Sequence, residues 1–396
     1  GPSCVPAADD GRAVGEAIAW SDTRAASEAA ELEAATGLGA WQLAILPAAL
    51  WVERQDPARA SATRWYLNSW EWLAFRLSGE ARRTRSAGQI LADPESIVAE
   101  GLDAAKTPPT VDAGTVIEGL TDESAATLGL ARGTPVVAGL NDAFAACLGV
   151  GLLEAGDAYD AGGSAGGFAV YADRPIGVEG AFGGAAPVED RWFVGGVTSA
   201  TGRALDWLAA ATGTTAATLL DEAAVVPAGA DGLVFLPYLA GERSPIWDPR
   251  ARGAFVGLTL RHGRPELARA VLESAALAIR HVAAPILAAG VDVREMRVAG
   301  RPAGSETWNR IKADVTRFPV AVPEVVEAAL LGSAILGAVG VGRQPDVRAA
   351  IGAMVRIASR IDPDATNQPT YDALFDVYRS LHGRLDEASH ALGALP

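Results

Sequence analysis

The stretch Ala158-Tyr159-Asp160-Ala161-Gly162-Gly163-Ser164-Ala165-Gly166-Gly167-Phe168-Ala169-Val170-Tyr171 sets two short β-type runs around a turn almost free of side chains. The pattern predicts a hairpin in which glycines supply the turn. Working outward, PVVAG from Pro135 and WFVGG from Trp192 add strand-like runs. Helical patterns follow at Thr201 to Ala211 and Thr215 to Val225, then strand-like LVFLPY, then a long amphipathic helix from Pro265 to about Ala289. MRVAG, a helix over Ser305 to Val315, FPVAV and a helix from Val326 continue the alternation, and an amphipathic helix over Tyr371 to Leu392 closes it. Strands alternating with helices predict an α/β fold.

The first third has a different texture. Helices are predicted at Ala25 to Thr36, Pro47 to Gln55 and Ala60 to Leu77, and a short capped one at Asp122 to Leu130. Trp41, Trp51, Trp65, Trp70 and Trp72, half of the ten tryptophans, fall here at near-helical spacing and read as core. The turn-rich AAKTPPTVDAG and the change of texture at Pro135 put a domain boundary near Arg132 to Thr134.

At 396 residues and 49% hydrophobic, the chain is long enough for two domains with substantial cores. Its 33 basic against 48 acidic residues give a net charge of -15, which repels nucleic acid and anionic membrane surfaces. Two cysteines, Cys4 and Cys147, make no disulfide framework, so a reducing cytoplasm is the expected compartment. The uncharged run from Ala328 to Gly342 is shorter than the roughly 20 residues of a membrane span and is expected to be a buried helix. The opening GPSCVPAADDGRAVGEAIAW lacks the pattern of a signal peptide, and the chain is expected to start within a fold.

Three segments could carry chemistry. The turn Gly162 to Gly167 either lets backbone N–H groups approach a phosphate or is simply a tight hairpin. It is no dinucleotide fingerprint, because a strand follows where a helix is required. Asp142, in AGLNDAFAACLG between a strand and a helix, is a candidate general base, or it caps the helix. Glu242 and Arg243, in GERSP, could shape a substrate rim, although such a pair reads more readily as a solvated or structural ion pair. His262, His281, His382 and His390 show no metal spacing. No Walker loop and no G-x-S-x-G elbow occurs, which leaves non-Walker ATP sites of the actin type open.

Gly253-Ala254-Phe255-Val256-Gly257-Leu258, followed after seven residues by Glu266 to Glu273 (ELARAVLE), resembles the signature of the FGGY carbohydrate kinases. AWSDTRA, AGLND, GGSAGG, TGRALDWL, PYLAGERSPIWDP and VEAALLGSAILGAVGVG occur in that family's order. The resemblance implies two ribonuclease H-like (actin-like ATPase) domains: residues 1–133 as the remainder of an N-terminally truncated sugar-binding domain, and 134–396 as a nucleotide-binding domain. It implies transfer of the ATP γ-phosphoryl group, with Mg²⁺, to a sugar or polyol hydroxyl, nearest to the xylulose branch. Asp142 would be the base at the sugar, Gly163, Ser164 and Gly166 a phosphate loop, Gly202 a residue along the nucleotide, and Gly300 with Ser305 neighbours of the adenosine. A homodimer is the candidate assembly, dimers being common among such kinases.

The chain also departs from the pattern. The family's N-terminal Asp-x-Gly-Thr loop and its later Lys, which precede all these segments, are not in it. The chain alone is therefore expected to be inactive or nearly so. Ala48 stands where Lys is usual, Arg301-Pro302 follows Gly300 where a second Gly is usual, and Ser164-Ala165 replaces Thr-Ser. These departures motivate an alternative, a catalytically degenerate sugar- or nucleotide-binding pseudokinase. An actin-like chaperone or cytoskeletal ATPase is a third reading, against which the Gly253 to Glu273 signature stands.

Overall fold

The computed structural model describes residues 3–85 and 102–394, with the side chains of Ala40 and Trp41 outside the described set. The chain divides into two compact units, the first made of Gly1–Gly149, Ala186–Val188 and Ala329–Met354, the second of the remainder.

Unit 1 holds three two-stranded pairs. β1 (Cys4–Ala7) runs antiparallel to β2 (Trp65–Asn68), β3 (Arg83–Arg85) parallel to β4 (Thr110–Asp112), and β5 (Val116–Gly119) antiparallel to β6 (Pro135–Val137). The single helix expected over Ala60 to Leu77 is instead two, Pro57–Ala62 and Ser69–Ser78, with β2 between them. Burial decides it: the aromatic and branched Trp65-Tyr66-Leu67 satisfies a strand, and Asn68 opens a new helix, its N–H donating to Glu71 Oε2 at 2.8 Å. That Asn-x-x-Glu box was readable in the sequence. Trp51, Trp65 and Trp72 pack on the margins of cores built from smaller residues such as Val52, Leu67 and Phe75, so the tryptophans edge the core rather than fill it. Trp72 shows why: its indole N–H needs a partner and donates to Gly11 O at 2.9 Å. Trp41 lies outside the described side chains.

The texture change at Pro135 does not coincide with the division between units. β6 is tied to β5, and the helix Asp142–Gly149 groups with unit 1, together with most of the helix Ala328–Gly340. A Cβ on Gly332 would lie 1.8 Å from Ala145 O, so this small-residue helix presses its backbone against the helix Asp142–Gly149. The expectation of a fully buried helix is corrected here: Ile335 and Leu336 are buried, but Leu330 is 70% exposed.

Unit 2 is built on seven strands in the order β15-β14-β13-β7-β8-β10-β9. β7 (Asp157–Asp160), β8 (Gly166–Ala172), β9 (Phe182–Ala185) and β10 (Trp192–Thr198) form antiparallel neighbours, whereas β13 (Glu295–Val298) and β14 (Val320–Pro323) run parallel to β7. An antiparallel β15 (Ile357–Ile361) closes one edge, and β11 (Val234–Leu236) pairs with β12 (Ala254–Val256) apart from the sheet. Three antiparallel strands followed by two parallel ones beside the first is the ribonuclease H-like order. The expected hairpin at Gly162 to Gly167 is the β7–β8 connection.

The helix Arg264–Ala288 packs Ile279, Val282, Ala283 and Ile286 against Ala158, Phe168, Val170 and Val194 of the sheet. It is the one described helix long and apolar enough to cross a membrane, and 72% of its apolar window is buried inside the protein. Its Glu273, in the signature segment, is a buried structural hub. The Gly229 N–H, the Arg269 guanidinium and the Tyr371 hydroxyl all donate to Glu273 Oε1, at 2.9, 2.7 and 2.9 Å.

Candidate active site

The β7–β8 turn is the best-defined candidate. Asp160, at the end of β7, is fully buried and accepts the Gly162 N–H through Oδ1 at 3.1 Å. Gly163 N–H donates to Ala165 O, folding the turn on itself. The helix Thr201–Ala211 then grips it: Gly202 N–H donates to Gly163 O at 3.1 Å and Arg203 N–H to Ser164 O at 3.0 Å. Among the described residues, the Ser164 and Ala165 N–H groups have no hydrogen-bond partner, which leaves two amide donors at the tip. Such a pair of donors, next to the Ser164 hydroxyl, suits a phosphate oxygen.

The glycines here answer to close backbone approach. Gly300 has φ +69°, and a Cβ on it would meet Gly162 O at 2.1 Å. A Cβ on Gly202 would meet Gly163 O at 2.4 Å. Gly166 opens β8 against the hydroxyls of Thr198 and Thr201, themselves 2.9 Å apart and buried. Thus Gly163, Ser164, Gly166, Gly202 and Gly300 come together in one unit. Ser305 stands apart, its hydroxyl oxygen accepting the Trp308 N–H at 3.2 Å as the cap of the helix Glu306–Thr316. Arg301 reaches Asp206 on the helix Thr201–Ala211, at 3.1 Å with both side chains exposed. In Gly202→Ala the methyl group must push the turn away from the helix. If the turn holds ATP, as the family resemblance implies, a loss on the order of 10²-fold in kcat/KM for ATP is expected, the usual consequence of misplacing a site by about 1 Å. Steady-state kinetics would check this, and unchanged kinetics would remove the turn from the nucleotide site.

Several supporting residues escaped the sequence reading. Beneath the turn, Lys312 Nζ lies 2.5 Å from Asp160 Oδ2, both side chains fully buried, with the ring of Trp308 beside the ammonium. Asn309 donates from Nδ2 to Ala303 O at 2.7 Å and so steadies the turn after Gly300. A signal for Lys312 existed: the chain has only two lysines among its 33 basic residues. The other, Lys106, pairs with Glu53 at 2.6 Å.

Asp142 belongs to unit 1 and is the exposed first residue of the helix Asp142–Gly149. The cap is its neighbour, for buried Asn141 accepts the Phe144 N–H at 2.9 Å. Asp142 accepts the Ala143 N–H at 2.9 Å.

Of the readings open for Glu242 and Arg243, the solvated pair is excluded by burial. Glu242 is 4% exposed, and its Oε1 accepts the N–H groups of Ser199 and Arg243, both at 2.8 Å. The Arg243 guanidinium donates to Thr198 O at 2.6 Å. Burial pushes the Glu242 carboxyl above the usual carboxylate range, against the lowering effect of those amides.

Two family models match the chain: the FGGY family of carbohydrate kinases, N-terminal domain, over residues 3–149, and its C-terminal domain over residues 162–341. A xylulose kinase of Bacillus subtilis is 27% identical over 97% of this chain and 81% of its own length. A gluconokinase of Bacillus licheniformis is 26% identical over 93% and 78%. The crystal structure of xylulose kinase from Rhodospirillum rubrum superposes with a TM-score of 0.84 at 31% identity, covering 98% of this chain and 83% of that one.

Proposed function

The chain belongs to the FGGY family of carbohydrate kinases, and from that premise we propose that it phosphorylates a ketopentose such as xylulose from Mg-ATP, with Asp142 as base. The observation that carries the reading is the turn at Ser164 and Ala165, with two amide donors at its tip and a helix holding its carbonyls. That cradle suits ATP, whose phosphates need fixed donors and close backbone contact more than they need side chains. Gly163, Ser164 and Gly166 hold the phosphates, Gly202 runs along them, and Gly300 with Ser305 flanks the adenosine. Among the described residues no group of three or more His, Cys, Asp or Glu could cage a metal ion. Mg²⁺ enters as part of the nucleotide substrate, keeping several of its waters.

In the reaction a sugar hydroxyl oxygen bonds to the γ-phosphorus while the bond from that phosphorus to the β–γ bridging oxygen breaks, and ADP leaves. The hydroxyl proton passes to Asp142. The enzyme works in the cytoplasm, as a homodimer. The non-catalytic alternative gains no observation, since Arg301 pairs with Asp206 and Ala48 packs against the unit 1 core.

The test is ADP release by the protein, with Mg-ATP and a panel of ketopentoses, gluconate and polyols. A clear preference for one ketopentose supports the reading, a preference for gluconate moves the substrate class, and no release with any sugar sinks it.

A further inference from the structure

We propose that Glu242 is a positioning residue for the phosphate turn, acting through the backbone of Thr198 and Ser199; the proposal rests on the kinase reading above. A carboxylate 4% exposed is costly to bury, and it is retained where its oxygens are used. Here both recorded donors to Oε1 are backbone amides, and one of them, Ser199, belongs to the segment that links β10 to the helix Thr201–Ala211. Consecutive residues of the GERSP turn therefore hold that segment by both of its polar edges: Glu242 takes the Ser199 N–H, and Arg243 caps the Thr198 carbonyl. One residue further, Ser244 N–H donates to Val197 O at 2.9 Å, extending the grip along the end of β10.

From that segment the geometry leads straight to the turn. The Thr198 hydroxyl meets the Thr201 hydroxyl, and Gly166 lies against both. Gly202 and Arg203, the next residues, donate their N–H groups to Gly163 O and Ser164 O. A shift of the Thr198–Ser199 backbone thus carries the two amides that hold the turn's carbonyls, and with them the direction of the Ser164 and Ala165 N–H groups. The GERSP turn is itself anchored on its far side. Glu242 and Asp248 exchange backbone hydrogen bonds, both 2.9 Å, and Asp248 Oδ2 lies 2.6 Å from His390 Nε2 on the closing helix Gln368–Gly393. The carboxylate is therefore fixed to the scaffold on one side and to the segment that supports the turn on the other.

The chemistry asked of Glu242 is acceptance, and Glu242→Gln keeps an acceptor oxygen in the same place while Glu242→Ala removes it. Equilibrium binding of Mg-ATP and steady-state kinetics on the enzyme separate the outcomes. For Glu242→Ala we expect the Mg-ATP Kd and the KM for ATP to rise roughly tenfold, with the sugar KM unchanged. Glu242→Gln should stay within about twofold of the parent on all three. A Glu242→Ala enzyme with parental ATP affinity, an equal rise in sugar KM, or a Gln variant as weak as Ala overturns the proposal. If Glu242→Ala does not fold, Arg243→Met carries the test, since it removes the donation to Thr198 O and the charge beside Glu242 while keeping the Arg243 N–H on the carboxylate; a raised KM for ATP supports the role, and an unchanged one overturns it. Should the unaltered enzyme fail to bind Mg-ATP, the kinase reading itself has failed, which is a distinguishable result.

Discussion

In Asp142→Asn we expect kcat to fall by about 10³-fold while Mg-ATP affinity stays within twofold. The size follows from general-base catalysis, which contributes about 10²–10⁴-fold when the base sits at the reacting hydroxyl. An amide matches the carboxylate in shape and cannot take the proton. The affinity half follows from the proposed roles, in which Asp142 meets the sugar hydroxyl and the β7–β8 turn meets the nucleotide. The substitution is also quiet for the fold. Had Asp142 been the helix cap, its loss would cost about 1 kcal/mol, but Asn141 does that work through Phe144 N–H. Single-turnover ADP formation and calorimetric Mg-ATP binding provide the measurements. A kcat within tenfold of the parent would remove Asp142 from the chemistry, and a collapse of ATP binding would assign it a different role.

That distinction between Asn141 and Asp142 shows where sequence reading stops. The order of strands and helices in unit 2 was legible because each element has its own period and its own punctuation. The hairpin at Gly162 to Gly167, the helix Thr201–Ala211 and the buried helix Arg264–Ala288 all lie where apolar spacing and glycines put them. Ala60 to Leu77 misled because aromatic residues serve a buried strand and a helix face equally well, and only pairing with β1 separates the two. The site divides along the same line. The glycine run from Gly162 to Gly167 announces itself by composition, whereas Gly202 and Gly300 were named only through the family resemblance. The burial of Asp160, Lys312 and Glu242 was not legible, since a buried charge differs from a solvated one only by what surrounds it. The sequence left the GERSP pair open between a substrate rim and a solvated or structural ion pair for that reason. Its carboxylate takes the N–H of the adjacent Arg243 and that of Ser199, some forty residues earlier in the chain.

The Asp160–Lys312 pair carries the second large effect, on stability rather than rate. Both side chains are fully buried, and the ammonium lies 2.5 Å from the carboxylate. In Lys312→Met the volume is nearly kept but Asp160 is left as a buried anion, supported by the Gly162 N–H alone among its recorded hydrogen bonds. Removing one partner of such a pair typically costs about 3–5 kcal/mol, because the remaining charge keeps its desolvation penalty. For a unit of this size that corresponds to a fall in Tm on the order of 10 °C. Lys312→Met combined with Asp160→Asn should recover most of the loss, since the amide oxygen still accepts the Gly162 N–H and no net charge remains inside. Thermal unfolding of both variants beside the parent would measure this. A single variant as stable as the parent would mean that the pair is not the buried ion pair described. A double variant no better than the single would mean that packing around Trp308, rather than charge, dominates there. Recovery of stability also isolates the functional question, because the double variant keeps the hydrogen bond that sets the start of the phosphate turn. Mg-ATP affinity should return with stability, and a stable double variant that binds Mg-ATP poorly would show that the ammonium itself acts on the phosphate turn.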